Sequence, residues 1–84
     1  MTALEKLEAL GSTPDAVAES LREMGIRGRQ GDIQACPLAR YLGPGYYVGA
    51  NSFWRVLGVS RPLPQACSRF RERFDARRYP DLLL

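Results

Sequence analysis

Leu4, Leu7 and Leu10 recur at helical spacing near the start of the chain, which predicts a short amphipathic helix. Thr2 and Glu5 stand three residues apart, as in a capping box, and Gly11 is a natural stop. At 3.6 residues per turn the helix has only about two and a half turns, so it must dock to be stable. Thr13-Pro14-Asp15 opens a second helix. Thr13 suits the N-cap, Pro14 the first helical position, and Asp15 the positive end of the dipole. Val17, Leu21 and Met24 form its apolar face, and Gly25 ends it. Ile26 to Gly31 reads as a loop, and Asp32 as a cap for the next helical segment. Leu38, Tyr41 and Leu42 give that third helical pattern. It runs from Pro37 to Leu42, or from Ile33 if Pro37 is tolerated near the helix start. Gly43-Pro44-Gly45 breaks it.

Beyond that break the period changes. Tyr46-Tyr47-Val48 and Phe53-Trp54-Arg55-Val56 are rich in strand formers, and Gly49-Ala50-Asn51-Ser52 between them can turn. Both segments carry aromatics on both faces, so their alternation leaves the register open. Pairing Val48 with Phe53 would also pair Tyr47 with Trp54. Pro62-Leu63-Pro64 leads into a last helix, with Leu63, Ala66, Cys67, Phe70 and Phe74 on its apolar face. That helix ends by Arg78, because Tyr79 precedes Pro80 and is pushed away from helical angles. Asp81-Leu82-Leu83-Leu84 is an apolar tail that tucks onto the body or frays. The pattern predicts one α+β domain over residues 1–84, with three to four short helices packed against one β-hairpin. Its expected core is Leu7, Val17, Leu21, Leu38, Tyr41, Leu42, Val48, Val56, Leu63, Phe70 and Phe74.

Composition changes this picture little. A chain of 84 residues, 45% hydrophobic and 25% charged, is ordinary for a small globular domain. No apolar run approaches the roughly 20 residues that span a bilayer. The opening residues are acidic and periodic, unlike a signal peptide. The expected setting is the cytoplasm, with no membrane partner. Charge is more informative. Residues 1–25 carry five acids and two bases, a net of −3, whereas residues 26–84 carry ten Arg and four acids, a net of +6. Eleven of the twelve bases are Arg, whose planar donor fork suits phosphate or carboxylate. A genome rich in G and C would also favour Arg over Lys.

The chemistry-bearing residues argue against an enzyme. There is no histidine, and Cys36 and Cys67 are the only cysteines. Cys36 stands where a helix begins, a place that can activate a thiol, but no His is present to serve as its base. Cys67 and Arg73 match the C-x-x-x-x-x-R spacing of a phosphatase loop, yet they lie within a predicted helix that has no glycine. Both thiols read as small buried hydrophobes. Two thiols alone make a poor zinc site, and no metal or cofactor is expected.

Gly28-Arg29-Gln30-Gly31 has the form G-x-x-G between two helices. Such glycines let backbone approach a phosphate. The loop and the element order around it resemble the KH domain, which clamps single-stranded nucleic acid with such a loop. Three departures stand against that likeness: a helix in place of the first strand, Arg27 where Ile precedes the first glycine, and Pro37 in the second helix. The plain alternative is a glycine-rich connector. A winged helix-turn-helix is a further reading, but its recognition helix would offer only Arg40 to bases. Arg69, Arg73, Arg77 and Arg78 line the last helix and its end, where cations also complement the dipole. The resulting expectation is a small non-enzymatic nucleic-acid-binding or regulatory module. It would bind DNA or RNA through Arg27, Gly28, Arg29, Gln30, Gly31, Arg40, Arg69, Arg73, Arg77 and Arg78. The alternative is a protein-interaction adaptor or homo-oligomer that uses the hairpin aromatics or the Leu82–Leu84 tail. The block Gly25…Gly31…Cys36-Pro37-Leu38-Ala39-Arg40-Tyr41-Leu42, with Phe74-Asp75-Ala76-Arg77-Arg78-Tyr79-Pro80, resembles small uncharacterised proteins of actinobacteria and their mobile elements. That resemblance implies a bacterial cytoplasmic origin and brings no activity.

Overall fold

The computed structural model describes residues 2–84. The chain forms α1 (Ala3–Glu8), α2 (Pro14–Glu23), α3 (Pro37–Leu42), β1 (Tyr46–Val48), β2 (Ser52–Arg55), β3 (Arg61–Pro62) and α4 (Gln65–Asp75), then a 3-10 turn at Pro80–Leu82. This is the α+β class that the patterning predicts, with one addition. The sheet has three antiparallel strands in the order β1-β2-β3. The third is only two residues long and contains Pro62, which ordinarily argues against a strand except at an edge.

The caps form as the sequence implies. Thr2 Oγ1 accepts from the Glu5 amide at 3.1 Å, and Glu5 Oε1 accepts from the Thr2 amide at 3.0 Å. Thr13 Oγ1 accepts from the Ala16 amide at 3.1 Å. Each such cap is worth about 1 kcal/mol. α3 begins at Pro37 rather than Ile33, and the Ala39 amide donates to Cys36 Sγ at 3.4 Å. Asp32 caps the turn before α3, because its Oδ1 accepts from the amides of Gln34 and Ala35 at 2.8 and 3.0 Å.

α2 packs on α4, and α3 on β1. The core between them holds Leu7, Leu10, Val17, Ala18, Leu21, Leu38, Leu42, Val48, Phe53, Leu63, Phe70, Phe74 and Leu82. Phe70 is its centre, with ring centroids 5.9 Å from Phe74 and 5.3 Å from Tyr79. Tyr41 is half-buried, and its hydroxyl donates to the Lys6 carbonyl at 2.9 Å. Three expected apolar-face residues lie outside this core, and Leu4 on α1 is the first, 38% exposed. Met24 follows the last turn of α2 and is 48% exposed. Val56 lies beyond β2, in the turn to β3, and is 57% exposed.

The hairpin register is Tyr46↔Arg55, Tyr47↔Trp54 and Val48↔Phe53. Tyr46, Val48, Phe53 and Arg55 therefore share the inner face, and Tyr47 and Trp54 the outer one. The tail tucks rather than frays. Leu82 is buried, the Gly28 amide donates to the Leu82 carbonyl at 2.8 Å, and the Leu84 amide donates to the Gly28 carbonyl at 2.9 Å.

Candidate interaction surface

The G-x-x-G segment is built into the body. Gly28 is buried, and a Cβ there would stand 2.3 Å from Pro37 N and 2.5 Å from the Ala35 carbonyl oxygen. Its glycine thus serves a close approach of backbone to backbone. The Arg29 amide donates to the Ala35 carbonyl at 2.7 Å, and the Gly31 amide to Asp75 Oδ1 at 3.0 Å. The Gln30 side-chain amide donates to the Asp75 carbonyl. The amides of Gly28, Arg29 and Gly31 are thus bonded within the chain rather than free for a phosphate. Only the side chains of Arg27 and Arg29 face solvent here.

Asp75 is the hub of this arrangement. Its Oδ2 accepts from Arg71 Nε at 3.2 Å. Arg71 is 5% exposed, and its Nη1 also donates to the Val48 carbonyl. Position 71 therefore ties α4 to β1 and is no part of a basic surface.

The remaining expected contacts are dispersed over several elements. α3 buries Pro37, Leu38, Ala39 and Leu42, so Arg40 is its one exposed base. Arg73 pairs with Asp15 at 3.7 Å, across from α2. Arg69, Arg77 and Arg78 are exposed. Arg77 has φ 62° and closes α4 with Schellman bonds: its own amide to the Phe74 carbonyl at 3.0 Å, and the Arg78 amide to the Arg73 carbonyl at 2.9 Å. Arg27, Arg29, Arg40, Arg55, Arg61, Arg69, Arg77 and Arg78 have no carboxylate partner within 4 Å among the described residues.

A different feature is apolar and lies between β2 and β3. The Gly58 amide donates to the Arg55 carbonyl at 2.9 Å, closing a turn over Val56 and Leu57. Leu57 has φ 65° whereas Val56 does not have positive φ, so the turn is of type II, whose third position favours glycine. Leucine stands there instead and is fully exposed at 104%, with Val59 at 85%. Beside this tip lies a groove of about 600 Å³. Its floor is the inner face of the sheet where Tyr46 and Phe53 run out from the core. One wall is Thr2, Ala3 and Leu4 at the start of α1, and the other is Gly58, Val59 and Arg61. Trp54 and Arg55 complete the lining, with the Arg55 guanidinium 5.3 Å above the Tyr46 ring. The sequence pattern puts Val56 in a strand and carries no element signal over residues 57–61. The available signal was an apolar Val-Leu pair immediately before Gly58, where a hairpin turn is ordinarily polar.

The cysteines are free and buried. Burial raises the Cys36 thiol and pushes the Cys67 thiol up to about 12. Both shifts run away from the thiolate, opposite to the lowering that activates a cysteine. No helix among the described residues is long and apolar enough to cross a membrane. No known protein family, curated protein or solved structure matches this chain.

Proposed function

We propose that this chain is a non-enzymatic protein-interaction module that docks through the β2–β3 tip and the groove beside it. The observation that carries this reading is Leu57. It combines full exposure with a left-handed backbone that costs a leucine roughly 1–2 kcal/mol. Glycine would relieve both costs, so the residue answers to something outside the chain. Val56, Val59 and the groove extend the same surface. The Leu82–Leu84 tail is the weaker candidate, because Leu82 is buried and Leu83 packs against the core. The module works in the cytoplasm, where two buried free thiols stay reduced.

Nucleic-acid binding is the second reading. It is favoured by the eight exposed arginines that lack carboxylate partners among the described residues. Site-specific photocrosslinking in living cells separates the two. A photoreactive residue at position 57 should give protein adducts, and the same residue at position 69 should give few adducts of any kind. Nucleic-acid adducts at position 69, with none at 57, would reverse the order.

A further inference from the structure

The groove has a chemical polarity that narrows its occupant. Arg55 and Arg61 are the only charged residues that line it, and neither has a carboxylate within 4 Å among the described residues. Arg61 is paired with Phe53 across the ladder, and Arg55 is two residues from Phe53 along β2. All three therefore project from the same face of the sheet. The two guanidiniums thus flank an apolar floor made by Tyr46 and Phe53. Resting on the interaction reading above, we infer that the groove takes an acidic amphipathic segment of a partner protein. Its apolar side chains lie against Leu4, Tyr46 and Val59, and its carboxylates meet Arg55 and Arg61.

Charge selects this occupant over its competitors. A basic amphipathic segment would set like charges against two unpaired arginines. A second copy docked by two-fold symmetry would set this patch against itself and bring four unpaired arginines into one interface. An anionic lipid surface would engage Val56, Leu57 and Val59 at the tip. It would leave the groove between Val59 and Leu4 unfilled. A peptide fills that groove and uses the tip as its rim. A carboxylate on an Arg fork is also a strong, directional contact.

Selection of a random linear-peptide library on the immobilised protein tests the inference. Enriched peptides should combine carboxylates with large apolar residues. Their affinity should fall about tenfold in Arg55→Ala and in Arg61→Ala, as expected for one lost charge-assisted contact. It should fall in Leu57→Gly as well, and rising salt should weaken it. Enrichment of neutral or basic peptides that still depend on Leu57 would overturn the acidic assignment and leave the interaction reading standing. Absence of any Leu57-dependent peptide would overturn both. So would co-sedimentation with phosphatidylserine vesicles alone, or self-association alone in analytical ultracentrifugation. Circular dichroism of each variant confirms that lost binding is not lost folding.

Discussion

Two single residues show opposite relations between side chain and site. At Gly28 the missing side chain is required by packing, since a Cβ would fall 2.3 Å from the Pro37 nitrogen. The backbone of residues 35–37 would have to move. Gly28→Ala should therefore cost about 3 kcal/mol or more and lower the melting temperature sharply in a thermal scan. A shift of a degree or less would mean that the loop is not pinned as described. At Leu57 the situation is reversed, because the side chain is present where the backbone favours its absence. Leu57→Gly should stabilise the domain by about 0.5–1 kcal/mol. That is a rise of a few degrees in the melting temperature of a domain this small. No packing is lost to offset it, since the side chain is fully exposed. The pairing of higher stability with lost docking is the expected signature of a residue kept for binding. A lower melting temperature for this variant would show that Leu57 supports the fold.

The helices and the hairpin were legible because each carries its own local signal. Caps at Thr2 and Thr13, Pro at the first helical position and the Phe70–Phe74 stripe are all written within one element. β3 was not legible, because Arg61-Pro62 has no strand character of its own and pairs only because β2 lies beside it. The Arg71–Asp75 pair is legible at i,i+4 within α4, but the roles of Gly28, of Arg71 at the Val48 carbonyl and of Asp75 at the loop amides were illegible for a related reason. Each acts between elements far apart in sequence. A G-x-x-G spacing looks the same whether its amides are free or bonded to Leu82, Ala35 and Asp75. Likewise, an Arg at helical spacing looks exposed until β1 is laid over it. The apolar face of α4 is the element whose reading is most directly tested. Phe70 is fully buried between Phe74 and Tyr79. Phe70→Ala should thus cost about 3–5 kcal/mol, a large share of the roughly 5–15 kcal/mol typical of whole domains. Chemical denaturation of the variant should show a much lower midpoint with an unchanged slope.

For the molecule as a whole, the charge asymmetry of the sequence is partly resolved by folding. Asp15 of the acidic half faces Arg73, and Arg22 is bound by Asp81 and Glu19. Bonds to Thr2 hold the Glu5 carboxyl below its usual value, the amides of Gln34 and Ala35 do so for Asp32, and Arg22 does so for Asp81. A lowered folded pKa gives stability that is present above the unfolded value, about 4, and lost as pH falls through the folded one. Melting temperature should accordingly drop below about pH 4, with a shallower acid limb in Asp81→Asn. An unchanged limb in that variant would remove Asp81 from the account. After this internal pairing, eight exposed arginines remain on α3, α4, β2, β3 and two loops, and they decide the nucleic-acid question. Cations spread over so many elements should neutralise few phosphates at once. Filter binding should therefore find only weak retention of oligonucleotides, lost between about 50 and 200 mM salt, with a shallow dependence on salt. Arg69→Ala, Arg77→Ala and Arg78→Ala should each remove at most about one unit of that slope. Leu57→Gly should leave it untouched, because the tip is apolar. A slope of several units, with affinity that persists at physiological salt and collapses in the α4 variants, would mean that the arginines converge on one footprint. Nucleic acid, rather than an acidic protein segment, would then be the partner.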